Sequence, residues 1–395
     1  MLVLALLLSL LQPASPRDDA PVLLLTISPG ELAWERFGHN ALVVDGVAYD
    51  WGRFDFGNST GEVAAFVGRF IQGDMEYGFG AADAELLTDF YVNELGREVT
   101  VTALALTPAQ KNALRSLLTA EPATYQYDYF TDNCSTKLRD LLDQSTDGAL
   151  AEGMTERTST YRTEVDRHTE GSWWLWPALA AGMGTRCDEP ITAWEQSFIP
   201  GELDRHLDQI TIDGRPIVTW RRMVGTPTVL AAATPPNRLP LMGLIGVIGA
   251  VTLVATSRWV IGRFLTGCTF AFFGLGGCIV LYLWLFTGHD HAGPNASGLL
   301  LAPVSLLLGI AMPMRRPTLK QVLAGGVLLC IMGGLAFMVI AGQHAWPVAA
   351  AAVPPQLAGL WIATRTPPPK TLNTTDDHDP SQDEGSDRNT RPRTR

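Results

Sequence analysis

The sequence predicts an α+β N-terminal domain, residues 17–232, followed by an all-α membrane domain, residues 233–363, with about five transmembrane helices. Three observations lead to this fold class. Strand-like and helix-like periods alternate before residue 238, and apolar runs of near-spanning length follow it. Residues 1–238 carry 33 acidic and 18 basic side chains, whereas residues 239–363 carry one acid and five bases. A water-soluble domain of that second composition could not cover its surface.

The first residues, 1–16, resemble a signal for secretion. Their apolar run, LVLALLLSLL, is about 15 Å long as a helix and too short to cross a bilayer. No Lys or Arg precedes this run, and the small-residue cleavage site after it is weak. We expect the chain to be exported, so that the N-terminal domain lies outside the cytoplasm.

The membrane domain contains five apolar runs that are long enough, or nearly long enough, to span a bilayer. Buried helices of a soluble core are the alternative, but five consecutive runs with so little charge would need a much larger soluble shell. The predicted spans are 239–257, 264–287, 298–314, 321–342 and 345–363.

Loop charges predict the orientation of these spans. Basic residues occupy the loops after the first, third and fifth spans, whereas the other two loops contain none. The positive-inside rule places the basic loops in the cytoplasm and the N-terminal domain on the opposite side. The tail, residues 364–395, is polar and is predicted to be disordered and cytoplasmic.

Within the N-terminal domain, a β-hairpin is predicted around Asp45-Gly46, a strong two-residue turn signal flanked by ALVV and VAYDW. If the turn pairs Val44 with Val47, the period of two places His39 and Asp50 on the same face of the sheet, diagonal to each other. The sequence therefore predicts contact between an imidazole and a carboxylate.

A helix is predicted to begin near Cys134, with Asp132 or Asn133 as its N-cap. The segment TKLRDLLDQ that follows the cysteine has helical periodicity. Backbone N–H groups and the helix dipole stabilise a thiolate in the first turn, and the same groups can hold an oxyanion.

A cysteine at a helix start and a histidine on a neighbouring strand form the arrangement of papain-type nucleophiles. We therefore predict that Cys134 is a nucleophile and that His39 is its base. Asp50 is the candidate to orient His39, with three competitors for that role: Asp128, Asp132 and Asn133. A packed or disulfide-bonded cysteine and a structural histidine are the alternative interpretation.

These motifs resemble the bacterial Lnb-type lipoprotein N-acyl transferases, a family with a permuted NlpC/papain-like outer domain followed by a membrane domain. The resemblance covers about residues 30–365. The segments that carry it are FGHNAL, YDWGRFDF, YQYDYFTDNCSTKLRDLL, TYRTE, MGTRCDEP, WEQSFIPGEL and TGHDHAGPNASGLLLAPVSLLLG.

The resemblance implies an enzyme of the bacterial inner membrane. It implies that Cys134 takes an acyl chain from a membrane phospholipid as a thioester and passes it to the N-terminal amine of a diacylglyceryl-modified lipoprotein, with His39 moving the protons. No cofactor is required. The acidic N-terminal domain and the absence of basic runs argue against nucleic acid as a partner.

Four further residues are candidates for substrate contact. Asn133 and Tyr129 lie beside the cysteine, whereas His289 and His291 lie in the loop between the second and third predicted spans. That loop also contains Asp290, but two histidines and one aspartate are few ligands for a metal, so we predict none.

Two other functions remain open at this stage. A membrane-tethered cysteine peptidase or amidase acting on peptidoglycan would use the same catalytic pair, although it would not need five spans. A sensor or transporter would use the N-terminal domain only to bind a ligand, but the spans contain almost no ionisable residue.

Overall fold

The computed structural model of the protein describes residues 20–227 and 229–365. The predicted signal-like segment, 1–16, and nearly all of the predicted disordered tail lie outside the described residues.

A seven-stranded antiparallel sheet forms the centre of the N-terminal domain. Its spatial order is β11-β5-β1-β2-β3-β4-β6, and two small two-stranded sheets, β7–β8 and β9–β10, lie beside it. The strands are β1 (Val22–Ile27), β2 (His39–Val44), β3 (Val47–Arg53), β4 (Glu76–Asp83), β5 (Val99–Leu104), β6 (Thr124–Gln126), β7 (Arg157–Thr160), β8 (Pro190–Thr192), β9 (Thr211–Ile212), β10 (Arg215–Pro216) and β11 (Val218–Val224).

The predicted hairpin is confirmed in its turn and its register. Asp45 and Gly46 both have positive φ, 55° and 84°, the conformation that the tightest hairpin turn requires. Val44 pairs with Val47, and Ala41 pairs with Asp50. The turn residues therefore set which side chains of β2 and β3 share a face.

Helices cover both faces of this sheet. Those of the N-terminal domain are α1 (Thr60–Gln72), α2 (Ala84–Asp89), α3 (Pro108–Ala120), α4 (Cys134–Ser145), α5 (Ala149–Gly153), α6 (Tyr161–His168), α7 (Leu175–Gly182), α8 (Ala193–Gln196) and α9 (Pro200–His206). The start of α3 is as predicted, with Thr107 as N-cap and Pro108 in the first turn. Helix α4 packs on the sheet through Leu138 and Leu142, which share one buried cluster with Leu42 of β2.

The membrane domain differs in detail from the five predicted spans. Among the described residues, three helices, α10, α11 and α14, are long and apolar enough to cross a membrane. The third predicted span is broken into α12 and α13, and the fifth, α15, is one continuous helix with two prolines, Pro354 and Pro355, in its interior. The helices are α10 (Leu239–Thr256), α11 (Val260–Phe286), α12 (Ala296–Leu300), α13 (Val304–Ala311), α14 (Pro317–Ile340) and α15 (Trp346–Thr364).

The break in the third span has a local cause, and a residue distant in sequence compensates for it. Ala302 adopts a positive φ of 47°, and Pro303 follows it, so the helical hydrogen-bond ladder cannot continue. Gln356 of α15 is fully buried, and its Nε2 donates to the Leu300 carbonyl oxygen at 2.8 Å. Its Oε1 accepts from the hydroxyl of Ser305 at 3.0 Å. One buried amide thus satisfies polar groups on both sides of the break, as the interior of a bilayer requires.

Buried amides also join the two domains, and the described residues up to Thr364 form one compact unit. Asn295, before α12, donates to the carbonyl oxygens of Ala181 and Gly182 at 2.9 and 3.0 Å. Gln343, before α15, donates to the carbonyl oxygen of Met183 at 3.0 Å and to Asn295 Oδ1 at 2.9 Å. Asn295 and Gln343 are each 1% exposed, so these bonds are shielded from water.

Candidate active site

Cys134 is the first residue of α4, as the sequence predicts, and it is 9% exposed. The N-cap is Asn133, whose Oδ1 accepts from the backbone N–H groups of Ser135 and Thr136 at 2.8 and 3.0 Å. Its Nδ2 donates to the carbonyl oxygens of Tyr129 and Phe198 at 2.9 Å each. These four bonds fill the capacity of the amide. We therefore expect Asn133 to position Cys134 rather than to contact substrate.

His39 and Asp50 are in direct contact, as their shared sheet face predicts. His39 Nε2 lies 3.2 Å from Asp50 Oδ2, and Asp50 is buried. The competing candidates are occupied elsewhere. Asp128 accepts three bonds from Phe130 and Thr131, and Asp132 pairs with Lys137 at 3.2 Å.

The thiol and the imidazole shift each other's pKa in the directions that favour a thiolate–imidazolium ion pair. Burial would raise the pKa of Cys134, but the charge and hydrogen bond of His39 and the backbone N–H of Asn40 lower it below the usual value. Burial would lower the pKa of His39, but Tyr91, Cys134 and the bond to Asp50 raise it well above the usual value. Because Asp50 takes Nε2, the nitrogen left for Cys134 is Nδ1.

Arg53 is a fourth member of this group, which the sequence analysis missed. Its Nε donates to Asp50 Oδ1 at 2.7 Å, and its Nη2 lies 2.5 Å from the same oxygen. Burial would raise the pKa of Asp50, but His39 and Arg53 lower it, so that the carboxylate stays charged. Gly80, opposite Asp50 on β4, leaves room for the guanidinium, since a Cβ there would lie 2.3 Å from Arg53 Nη1.

Tyr129 and His289, two residues predicted to contact substrate, lie against each other. Their rings stack at a centroid distance of 6.4 Å and an interplanar angle of 24°. Phe70 of α1 contacts both rings, and its carbonyl oxygen lies 3.0 Å from His289 Nε2. The loop of the membrane domain therefore reaches the aromatic segment that precedes Cys134.

His291 occupies a different position from His289. Its ring lies between Phe130 at 4.7 Å and Tyr161 at 5.1 Å, and burial lowers its pKa. The His291 carbonyl oxygen accepts from the backbone N–H of Gly184 at 2.8 Å. These contacts point to a role in joining the domains.

Across residues 20–227 and 229–365, no group of three or more His, Cys, Asp or Glu side chains is arranged to hold a metal ion.

The ion pair predicts the reactivity of Cys134 toward iodoacetamide. Because its pKa is depressed, Cys134 should react at neutral pH and lose reactivity only as the pH falls through that depressed pKa. In His39→Gln, rapid reaction should require a more alkaline pH, since burial, which raises the pKa of Cys134, then loses the opposing charge and hydrogen bond of His39. Peptide mass spectrometry of the alkylated chain measures both profiles. Cys187, whose pKa is raised by burial to about 12, is the internal control. Identical profiles for the two proteins would contradict the ion pair.

Removal of Arg53 should make Cys134 less reactive, because Arg53 holds Asp50, and Asp50 orients His39. In Arg53→Met we expect the rate of Cys134 alkylation near neutral pH to fall about tenfold to a hundredfold, as for a misplaced catalytic group. The acid limb of the profile should move to higher pH, because the pKa of Asp50 rises without the guanidinium. Gly80→Ala should reproduce the shift by displacing Arg53. An unchanged profile in both variants would assign Arg53 a purely structural role.

This arrangement can perform nucleophilic attack on a carbonyl carbon. The thiolate of Cys134 would attack, His39 would hold the proton, and the Asp50 carboxylate would orient the ring of His39.

The comparisons with known proteins agree with the two-domain architecture. The model of the Lnb N-terminal periplasmic domain matches residues 14–167, and that of the Lnb transmembrane domain matches residues 233–359. Searches of curated proteins and of solved structures found no significant match. The chain therefore belongs to the Lnb family, with a periplasmic N-terminal domain and a C-terminal membrane domain.

Proposed function

We propose that this protein is a lipoprotein N-acyl transferase of the bacterial inner membrane. The observation that carries the proposal is the Cys134–His39–Asp50 group in a domain that hydrogen bonds directly to membrane helices. Membership of the Lnb family supports the membrane setting. The donor in this proposal is a phospholipid, the acceptor is a diacylglyceryl-modified lipoprotein, and the C-terminal tail is cytoplasmic.

In the first step, the Cys134 thiolate attacks an ester carbonyl of the phospholipid, and the C–S bond forms. The tetrahedral intermediate collapses with cleavage of the C–O bond, and protonated His39 gives its proton to the departing lysophospholipid alkoxide. The Ser135 and Thr136 N–H groups are occupied by the Asn133 cap. The N–H of Cys134 itself is therefore our candidate for the helix donor to the oxyanion.

In the second step, the α-amino group of the lipoprotein's first cysteine attacks the thioester. Neutral His39 accepts the proton of that amine as the amide bond forms, and Cys134 leaves as the thiolate. Cys134 and His39 then return to their starting state, a thiolate and an imidazolium. Asp50 holds the imidazole in one orientation through both steps, and no cofactor takes part.

The membrane domain supports a lipid substrate over a soluble one. The loop with His289 and His291 belongs to the membrane domain, yet it packs on Tyr129 and Phe130, the segment that precedes the nucleophile. A peptidase with a soluble substrate would need no such contact. We propose that Tyr129 and His289 contact the lipid donor, whereas Asn133 and His291 hold the surrounding structure.

Complementation with intact-lipoprotein mass spectrometry tests this function. The full chain is expressed in a bacterium depleted of its own lipoprotein N-acyl transferase, and one lipoprotein is weighed. We expect a mass gain of one acyl chain. No gain, with the protein shown by fractionation to be in the membrane, would overturn the proposal and favour a hydrolase on the same catalytic group.

A further inference from the structure

Helix α1, Thr60–Gln72, has an apolar face that the described chain covers only in part. Phe66 is its one buried residue. Val63, Val67, Phe70 and Ile71 follow at helical spacing on one side, and they are 41%, 45%, 45% and 42% exposed. Since a water-exposed helix normally buries such a stripe, this face requires an apolar surrounding.

The C-terminal end of α1 is hydrogen bonded to the periplasmic end of the membrane helix α11. The Gln72 carbonyl oxygen accepts from the backbone N–H of Gly288 at 2.8 Å, and its side-chain amide donates to the hydroxyl of Tyr282 at 2.5 Å. Gly73 makes this approach possible, because a Cβ there would lie 2.9 Å from the Gly288 carbonyl carbon. Helix α1 is therefore held at the level where α11 leaves the bilayer.

Two neighbouring features indicate what covers the stripe. Leu285 and Phe286, in the last turn of α11, are 56% and 70% exposed, and on a membrane helix they face lipid. The stripe of α1 therefore continues a lipid-facing surface. Trp173 and Trp174, just before α7, are 86% and 53% exposed, the positions that tryptophan takes at a membrane interface.

The stripe is also connected to the nucleophile by aromatic contacts. Phe70 contacts Tyr129 at a centroid distance of 6.2 Å, and Tyr129 contacts Tyr127 at 5.4 Å. Tyr127 and Cys134 both border Gly52, where a Cβ would lie 3.8 Å from the Tyr127 ring and 3.7 Å from Cys134 Cβ. The rings of Phe70, Tyr129 and Tyr127 therefore form a series of contacts that leads from the stripe to the neighbourhood of Cys134.

We propose that α1 is an interfacial helix, immersed in the outer leaflet with Val63, Val67, Phe70 and Ile71 against lipid acyl chains, and that the donor lipid reaches Cys134 along it. The occupant is membrane phospholipid. The second half of this proposal rests on the proposed function, whereas the first half does not. Glu62 and Arg69, on the opposite side of the helix, would face water.

Photocrosslinking to labelled lipid tests the immersion without any measurement of activity. The full chain carries p-benzoylphenylalanine at Val67, or at Arg69 as the matched control on the polar side, and is reconstituted in vesicles of ³²P-labelled phosphatidylethanolamine and phosphatidylglycerol. Both side chains are exposed, so neither replacement disturbs a packed core. We expect a radioactive protein band after irradiation of the Val67 sample. In the Arg69 sample, the radioactivity of that band should not exceed the background.

The remaining outcomes separate this proposal from the function. Equal labelling at both positions, or none at Val67, would overturn the interfacial helix. Crosslinking of Val67 to a protein in native membranes, without lipid, would assign the stripe to a protein partner instead. A lipid adduct at Val67 combined with failed complementation by the wild-type chain would retain the interfacial helix and overturn the acyl transferase.

Discussion

Replacement of Cys134 by alanine should abolish N-acylation of a lipoprotein, lowering the rate by more than about a thousandfold, as for loss of other catalytic nucleophiles. The thiolate is the atom that forms and releases the thioester, and no other side chain at the helix start can take its place. The variant should still fold, because it removes one sulfur atom from the edge of a core built mainly by Leu138, Leu142 and Trp51.

The matched control is Cys187→Ala. Cys187 is also buried and free, but burial raises its pKa to about 12, so it is not a thiolate at neutral pH. Complementation and intact-lipoprotein mass spectrometry on both variants measure the difference. An acyl chain added to the lipoprotein by the Cys134→Ala variant would show that the cysteine is not part of the mechanism.

The thioester intermediate can also be detected directly. Wild-type protein mixed with phospholipid alone should gain the mass of one acyl chain on the Cys134 peptide.

Replacement of Arg162 by methionine should destabilise the N-terminal domain by about 3–5 kcal/mol, the cost of leaving a buried charge without its partner. Arg162 and Asp188 pair at 2.7 Å, with side chains 7% and 6% exposed. The guanidinium also donates to the carbonyl oxygens of Ala180, Met183 and Gly184. A single side chain thus holds the segment that meets the membrane domain.

Thermal unfolding in detergent, followed by circular dichroism, measures this loss. Arg115→Met is the control, because Arg115 pairs with Asp45 at 2.8 Å at a more exposed site, where an ion pair contributes about 0–1 kcal/mol. The double variant Arg162→Met/Asp188→Asn should recover part of the loss, since it removes the uncompensated charge. Equal melting temperatures for Arg162→Met and Arg115→Met would show that the buried Arg162–Asp188 pair contributes no more to stability than the more exposed Arg115–Asp45 pair.

The parts of the site that could be predicted from sequence depend on local chemistry. The turn propensity of Asp45-Gly46 determines the register of β2 and β3, and the register brings His39 to Asp50. Likewise, the start of α4 follows from a cap residue ahead of a periodic apolar segment. Such short-range signals survive in the fold because nothing in the tertiary packing opposes them.

Arg53 shows what local signals omit. Simple alternation along β3 places residues 50 and 53 on opposite faces, but the pairing of β3 with β4 shifts register between Trp51 and Arg53. That irregularity lets Arg53 reach back to Asp50, and it depends on space beside Gly80. Gly52, with a positive φ of 89°, permits the irregularity, but the space beside Gly80 is not encoded within a few residues of Arg53, so the sequence alone could not predict the contact.

The third membrane span was also beyond prediction in detail. Hydropathy averages over a window, and residues 298–314 are apolar throughout, so one continuous span was expected. The break at Ala302 is compensated by Gln356, which is more than fifty positions away and bonds to groups on both sides of it. A polar residue in an apolar run is a signal for such a partner, but it does not identify the partner.

The amides of Asn295 and Gln343 determine more than the attachment of one domain to the other. They bind backbone carbonyl groups of the N-terminal domain, so hydrogen bonds fix the position of that domain, and of Cys134 within it, relative to the membrane helices. In the proposed reaction, the ester of a phospholipid must reach Cys134 at this fixed position. How far each carbonyl along the glycerol backbone can reach would then decide which ester reacts.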